Sequence, residues 1–246
     1  MTNNRDERRY KKWESDHEKR GTSELIPAAT VVIMRDSEST IELLMLRKNS
    51  KVAFGGMWVF PGGKIDEIDK VFDSTGNLDE LPTAVNAAVR ETFEESSISV
   101  AQENLVWFSH WVPPPITPKR FSTYFFATDF SDDDQVVIDD SEIIEHKWFR
   151  PGEAIALRDK GKIELAPPTW MTLNLLCLFT SVESALSELK NREPLFYETR
   201  IGQSEKGPVA MWFGDAGYEN GNPEIAGDRH RLTMSENGYH FEQSTT

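Results

Sequence analysis

Arg90, Glu91, Glu94 and Glu95, in the run Arg90-Glu91-Thr92-Phe93-Glu94-Glu95, are the residues of this sequence best suited to chemistry by type and spacing. At 100° per residue of helix the three carboxylates fall on one face, with Arg90 beside them. Clustered carboxylates repel one another and weaken a helix unless positive charge sits among them. A solvated acidic face is one fate of such a run. A divalent ion is the other, because oxygen-only ligands suit Mg²⁺ or Mn²⁺. Upstream, Phe60-Pro61-Gly62-Gly63-Lys64 forms a loop built for tight backbone approach, which lets a main-chain carbonyl join the carboxylates around a cation.

The element that must carry this cluster is a helix over Pro82–Ser96. Pro82 suits the first turn, and the alanine-rich segment after it favours helix. Ala84, Ala87 and Ala88 share the acidic side, where small side chains admit a neighbouring backbone. Val85, Val89 and Phe93 fall opposite and are expected to form the buried stripe.

The string GGKIDEID, followed later by AAVRETFEESSI, resembles the Nudix box, G-x5-E-x7-R-E-U-x-E-E-x-G-U with U bulky and apolar. Gly63 matches the first glycine, and Arg90, Glu91, Glu94, Glu95 and Ile98 match later positions. Asp69 stands where the family has its first Glu, Lys70–Pro82 is an insertion, Thr92 replaces a bulky residue and Ser97 replaces the late glycine. The resemblance implies an α/β fold, the Nudix-type α/β/α sandwich with a mixed β-sheet, over residues 24–185. It leaves 1–23 as a charged N-terminal appendage and 186–246 as a β-rich C-terminal extension, either a cap on the substrate pocket or a homodimer contact. It further implies a metal-dependent hydrolase cleaving the diphosphate linkage of a small-molecule nucleoside diphosphate derivative, with Mg²⁺ or Mn²⁺ as cofactor. The implied metal ligands are Glu94, Glu95, the Gly62 carbonyl and Glu91, with Glu91 alternatively the general base and Arg90 orienting the carboxylates. The stretch LLMLRKNSKVAFGGMWVFPGGK and the later ELAPPTW are similar to the branch that includes peroxisomal coenzyme A diphosphatases, which makes coenzyme A or acyl-CoA the first expected substrate. ADP-ribose or a nucleotide sugar is the alternative. A nucleotide-binding regulator without turnover is a third reading, against which the retained carboxylates argue.

At 246 residues the chain is long enough for one substantial core plus an appendage. A net charge of −14 argues against nucleic acid or an acidic membrane surface as partner. The single cysteine, Cys177, excludes an intramolecular disulfide and fits a reducing cytoplasm; its apolar neighbours make it an expected inert core thiol. The N-terminal residues lack the apolar segment of a signal peptide, and the final Ser244-Thr245-Thr246 is not a peroxisomal Ser-Lys-Leu address. A cytoplasmic location is the expectation.

Along the chain, residues 1–20 read as a frayed or surface helix of mixed charge, with Tyr10 and Trp13 as docking contacts. Ala28–Met34 and Ile41–Leu46 read as strands joined by a polar turn. Arg47 is either a phosphate contact or a solvated strand end, whereas Lys48 and Lys51 read as solvated. The insertion reads as a surface loop above the site. Leu105–Val112 and Arg120–Thr128 are expected strands, and their Trp107, Trp111, Phe121 and Tyr124 serve either as core or as a stacking wall for a base. Arg47, Lys64, Trp111 and Arg120 make up the expected substrate-binding set. The acidic run Asp129–Glu145 is in part solvated loop, but Glu142 or Glu145 there can supply the extra carboxylate, ligand or base, that Nudix enzymes draw from this region. His146 reads as structural. A short helix over Pro151–Lys160 and a long amphipathic one over Thr169–Leu189 complete this part of the chain. Val209–Phe213 reads as a strand, Gly214–Gly227 as a loop, and Arg229–Ser235 with Tyr239–Gln243 as a hairpin about Glu236-Asn237-Gly238.

Overall fold

A computed structural model describes residues 5–38, 40–51, 54–130, 135–138 and 141–244. Of the acidic run Asp129–Glu145, residues 131–134 and 139–140 lie outside the described residues, as do Thr245 and Thr246. In chain order the elements begin with α1 (Arg5–Arg20), β1 (Leu25–Ser37), β2 (Thr40–Lys48), β3 (Trp58–Val59), β4 (Gly62–Lys64) and α2 (Glu80–Ser96). Next are β5 (Val106–Val112), β6 (Arg120–Asp129), β7 (Ile143–Phe149), α3 (Pro151–Asp159), α4 (Pro167–Leu176) and α5 (Val182–Lys190). Last come β8 (Leu195–Glu198), β9 (Arg200–Ser204), β10 (Gly207–Met211), β11 (His230–Ser235) and β12 (Gly238–Gln243). The chain divides into two compact units. One comprises Pro27–His110 and Thr123–Leu195; the other comprises Met1–Ile26, Trp111–Ser122 and Phe196–Thr246.

The larger unit is the α/β/α sandwich about a mixed sheet. Its strands run in the order β3-β2-β1-β6-β5, with β4 paired to β1 and β7 to β2. The β1–β2 hairpin stays paired only from Met34↔Leu43 to Ser37↔Thr40. Beyond it the 58–64 segment runs between the diverging strands, β3 on β2 at Leu46↔Val59 and β4 on β1 at Thr30↔Gly62. The glycine loop is thereby set into the sheet rather than hung from its edge. Alternate residues of β1 and β2 (Val31, Ile33, Leu44, Leu46) are buried against Ala84, Ala87 and Ala88 of α2, with Tyr124, Phe126 and Ile143 completing the core. Burying such aliphatic side chains contributes about 1.5–3 kcal/mol each, which fixes the helix on the sheet.

That packing corrects the expected helix stripe. Phe93 is exposed and Val85 and Val89 are only half-buried, while the alanine side, with Thr92 and Glu95, faces the core. Alanines let the helix approach the sheet closely, and this carries the acidic side in with them. The long helix expected over Thr169–Leu189 is two, α4 and α5, because Ser181 caps a new start by accepting from Ser184 N and Val182 N donates to Asp36 Oδ1 at 2.8 Å. Cys177 sits at this break and is exposed, not a core thiol. The Lys70–Pro82 insertion forms a small exposed turn closed by a Phe72↔Leu78 bridge, and α2 starts two residues before Pro82.

The smaller unit holds the antiparallel sheet β12-β11-β10-β9. The hairpin about Glu236-Asn237-Gly238 closes at Ser235↔Gly238, and β9 lines up on β10 at Val209↔Gly202. Strands β8 and β9 were not expected from the sequence. Helix α1 packs on β10, burying Tyr10 with Trp13 edge-on to it at 5.2 Å.

Candidate active site

Gly62 and Gly63 place β4 against α2. Gly62 has φ 151°, and a Cβ there would enter the Ala29 carbonyl; a Cβ at Gly63 would enter the Glu91 carboxyl group. Only glycine lets strand and helix close to this distance. The Gly62 amide donates to Glu95 Oε2 at 3.0 Å, and Glu95 Oε1 accepts from the Lys48 ammonium. Glu95 and Lys48 are both buried. The expectation of a solvated Lys48 is therefore corrected: this lysine comes after Leu44 and Leu46 on the helix-facing side of β2, and its arm ends on the helix carboxylate. Lys51 is exposed.

Arg90 binds the other carboxylates together. Its Nε and Nη2 donate to Asp69 Oδ1 and Oδ2 at 2.9 and 2.7 Å, a bidentate pair. Nη1 donates to Glu91 Oε1 at 2.8 Å and to Glu94 Oε2 at 3.0 Å, and Nη2 also reaches the Lys64 carbonyl at 3.1 Å. Asp69 is buried in a single helical turn, Glu67–Asp69, where it accepts from the Asp66 amide at 2.8 Å. Its role as the main partner of Arg90 escaped sequence reasoning, which saw it only as a departure from a motif; the turn that brings it to Arg90 has no local signal.

The electrostatics divide these carboxylates. Burial opposes charge on Asp69, but the Arg90 hydrogen bonds and the Asp66 amide outweigh it and hold the carboxyl below the usual range. Burial dominates at Glu91 and Glu95 and pushes both up, against Arg90 and Lys48 respectively. Hydrogen bonding to Asp69, ahead of the pairing with Glu91, pushes the Arg90 guanidinium further up.

Lys64 is tied to Asp66 at 2.7 Å and Arg47 to Glu145 at 3.1 Å, both exposed. Glu142 lies 3.7 Å from the Lys48 ammonium. Trp111 and Arg120 belong to the smaller unit. Trp111 is stacked on Tyr197 at 3.8 Å and 9°, and Arg120 donates to the Pro113 and Ser23 carbonyls. Trp107 and Tyr124 lie 5.6 Å apart, packed against the larger unit's core.

Among the described residues no three carboxylate, imidazole or thiol groups converge on one point as a ready-made ion site. Glu95 is turned to Lys48 and Gly62, and Glu91 and Glu94 to Arg90. The donor set nevertheless fits a hard divalent cation: every group is an oxygen with further lone pairs, and burial disfavours charge on half-buried Glu91 and buried Glu95, a cost that a cation would relieve.

A family model described as NUDIX domain matches residues 24–169, more than half of the chain. "Putative nudix hydrolase 7" of Caenorhabditis elegans is 25% identical over 175 residues, spanning 60% of this chain and 59% of that protein. "Acyl-coenzyme A diphosphatase NUDT19" of Xenopus laevis is 25% identical over an alignment 295 positions long that covers 82% of this chain and 77% of that protein. Among solved structures, a NUDIX hydrolase from Alicyclobacillus acidocaldarius is similar with a TM-score of 0.57 and 22% identity, over 67% of this chain and 96% of that one; this likeness shows the fold.

Proposed function

The chain belongs to the Nudix family, and from that premise we propose that it hydrolyses the diphosphate linkage of a nucleoside diphosphate derivative with Mg²⁺ or Mn²⁺ bound at Glu94, Glu95 and the Gly62 carbonyl. The observation that carries this reading is the surplus of carboxylates around one helix end: among the described residues Asp69, Glu91, Glu94 and Glu95 form ion pairs with two cations, Arg90 and Lys48. A bound divalent ion would neutralise diphosphate charge, polarise phosphorus and lower the pKa of its water. Around it Glu91, whose charge burial already disfavours, is either a further ligand or the group that takes a proton from water. Glu142 is the other candidate base. Arg90 holds Glu91 and Glu94 in place through Nη1, and its second edge on Asp69 prevents it from leaving with either. Lys64 and Arg47, both exposed, supply cations for substrate phosphates.

Coenzyme A or an acyl-CoA is the favoured substrate, supported by the frog relative's stated activity and the extent of that match. ADP-ribose or a nucleotide sugar is the alternative. The experiment is turnover of coenzyme A, acyl-CoA, ADP-ribose and NADH side by side with Mg²⁺ and Mn²⁺. Coenzyme A should yield 3′,5′-ADP and 4′-phosphopantetheine, with ¹⁸O from labelled water in one of the two. Brisk ADP-ribose cleavage with none of coenzyme A transfers the assignment to the alternative, and no metal-dependent turnover of any member overturns the enzyme reading.

A further inference from the structure

Strand β2 presents Leu44, Leu46 and Lys48 at alternate positions, and the first two enter the core beside Ala84, Ala87 and Ala88. Lys48 extends that row to the end of α2, where its ammonium touches Glu95. A second carboxylate, Glu142 Oε2, lies 3.7 Å away. The two differ sharply in surroundings, the Glu95 side chain being 6% exposed and that of Glu142 62%. Glu142 reaches this place through an irregularity in the ladder. The register passes from Arg47↔Glu145 to Lys48↔Ile143, so Ile144 is an extra residue on β7. A bulge of this kind re-aims the side chains next to it. Here the neighbouring backbone is pinned, Asn49 N donating to the Glu142 carbonyl at 2.7 Å and Asn49 Nδ2 to the Ser141 carbonyl at 3.1 Å.

We propose that Lys48 is a positioning residue that exchanges partners, holding Glu95 when no metal is bound and moving to Glu142 when a divalent cation takes Glu95. The inference rests on the metal-site reading of Glu95 and deepens it. An ammonium and a divalent ion on one carboxylate repel each other, strongly so where water is excluded. Losing Glu95 without another partner would leave a buried charge unpaired. Glu142 supplies that partner within reach of one rotamer change of a four-carbon arm, and its backbone is held ready by Asn49. The arriving ion thus sets the orientation of Glu142, a candidate base 47 positions along the chain from Glu95.

The test is Mn²⁺ binding to the full chain without substrate, monitored by the paramagnetic resonance signal of the free ion. Lys48→Gln keeps a hydrogen-bond donor near Glu95 and removes the charge. It should bind Mn²⁺ on the order of tenfold tighter, because the ion no longer displaces a charge-assisted contact. The same variant should lose kcat with KM little changed, since Glu142 is no longer held. Affinity and turnover moving in opposite directions is a result that a merely structural lysine does not give. Glu142→Gln should weaken Mn²⁺ binding about threefold in the wild-type background and not at all beside Lys48→Gln, a coupling that isolates the pair. Equal or weaker Mn²⁺ binding by folded Lys48→Gln overturns the proposal. So does an equal Glu142→Gln loss in both backgrounds, which would make Glu142 a direct ligand. Should Lys48→Gln fail to fold, unchanged Mn²⁺ affinity in Glu142→Gln alone overturns it. Wild-type protein that binds no Mn²⁺ overturns both this proposal and the metal site; wild-type binding without any Lys48 effect overturns this one alone.

Discussion

Each unit contains an arginine gripping a buried aspartate with the Nε–Nη2 edge of its guanidinium, and the two centres differ in what surrounds the pair. In the smaller unit Arg231 donates to Asp215 from Nε and Nη2, each at 2.6 Å, and Nη1 closes on the Pro223 carbonyl at 2.7 Å. The amides of Gly217 and His230 fill the remaining acceptor sites of Asp215 at 2.8 and 2.9 Å. Charge is balanced one to one, and the carboxylate accepts four hydrogen bonds. Such a centre has nothing left to offer a ligand, and it acts to hold the 212–231 loop together. Around Arg90 the same bidentate grip on Asp69 is surrounded by Glu91, Glu94 and Glu95, with Lys48 as the one further buried cation among the described residues of that cluster. The lesson is that an arginine–aspartate pair by itself indicates structure; the uncompensated carboxylates beside it are what indicate chemistry.

Four predictions break or sharpen this contrast. The largest effect belongs to the closed centre. Asp215→Ala strands a buried guanidinium, so unfolding stability should drop by about 3–5 kcal/mol, read from denaturant midpoints. A loss below about 1 kcal/mol would mean the centre is not buried in solution. In the open centre, Glu94→Gln and Glu95→Gln should each lower kcat at least about 100-fold with the fold retained, as expected when Lewis-acid stabilisation is lost. Near-wild-type turnover in both at saturating Mg²⁺ defeats the metal assignment. Gly63→Ala, which forces Glu91 aside, should reduce kcat by about 10- to 100-fold through misplacement alone. Wild-type kcat there would show that the contact between β4 and Glu91 is dispensable.

The smallest effect is in the pH dependence of stability without metal. Asp69 and Asp215 are depressed in the folded chain, so their stabilisation is complete above the unfolded value near ~4 and is lost as pH falls through the lower folded values. Glu91 and Glu95 are raised, which reverses the sign. The folded state binds their protons more tightly, so stability falls as pH rises from the unfolded value near ~4.3 through the folded values. Melting temperatures should therefore climb through the acid range and then decline, and Glu95→Gln should flatten only the decline. A Glu95→Gln curve parallel to wild type throughout would show that Glu95 carries no strained charge.

Much of the fold was legible in the sequence for identifiable reasons. The two strands β1 and β2, the hairpin at Glu236-Asn237-Gly238 and the helix bearing Glu91, Glu94 and Glu95 all rest on local periodicity or turn chemistry, which a chain displays in its own neighbourhood. Strands β8 and β9 did not: Leu195–Glu198 and Arg200–Ser204 are short, and Arg200–Ser204, although it forms a local hairpin with β10 at Ser204↔Gly207, has Ile201 as its one aliphatic side chain and so shows no alternation. Phe93 misled because hydrophobicity outranked size: the alanine side, being smaller, approaches the sheet more closely.

From sequence alone came the residue types of the site, the helix that groups the carboxylates, the glycines that permit close approach, and the acidic balance of the chain. Only the tertiary structure decided which cations answer those carboxylates. Asp69 reaches Arg90 from 21 positions away and Lys48 reaches Glu95 from 47, distances over which no helical or strand period carries information. Lysine on a strand end is solvated by default, and it became a buried partner here because β2 is covered by α2 up to its last residue. Pairing across the sheet sets that coverage, and side-chain burial, unlike secondary structure, is a property of the neighbours.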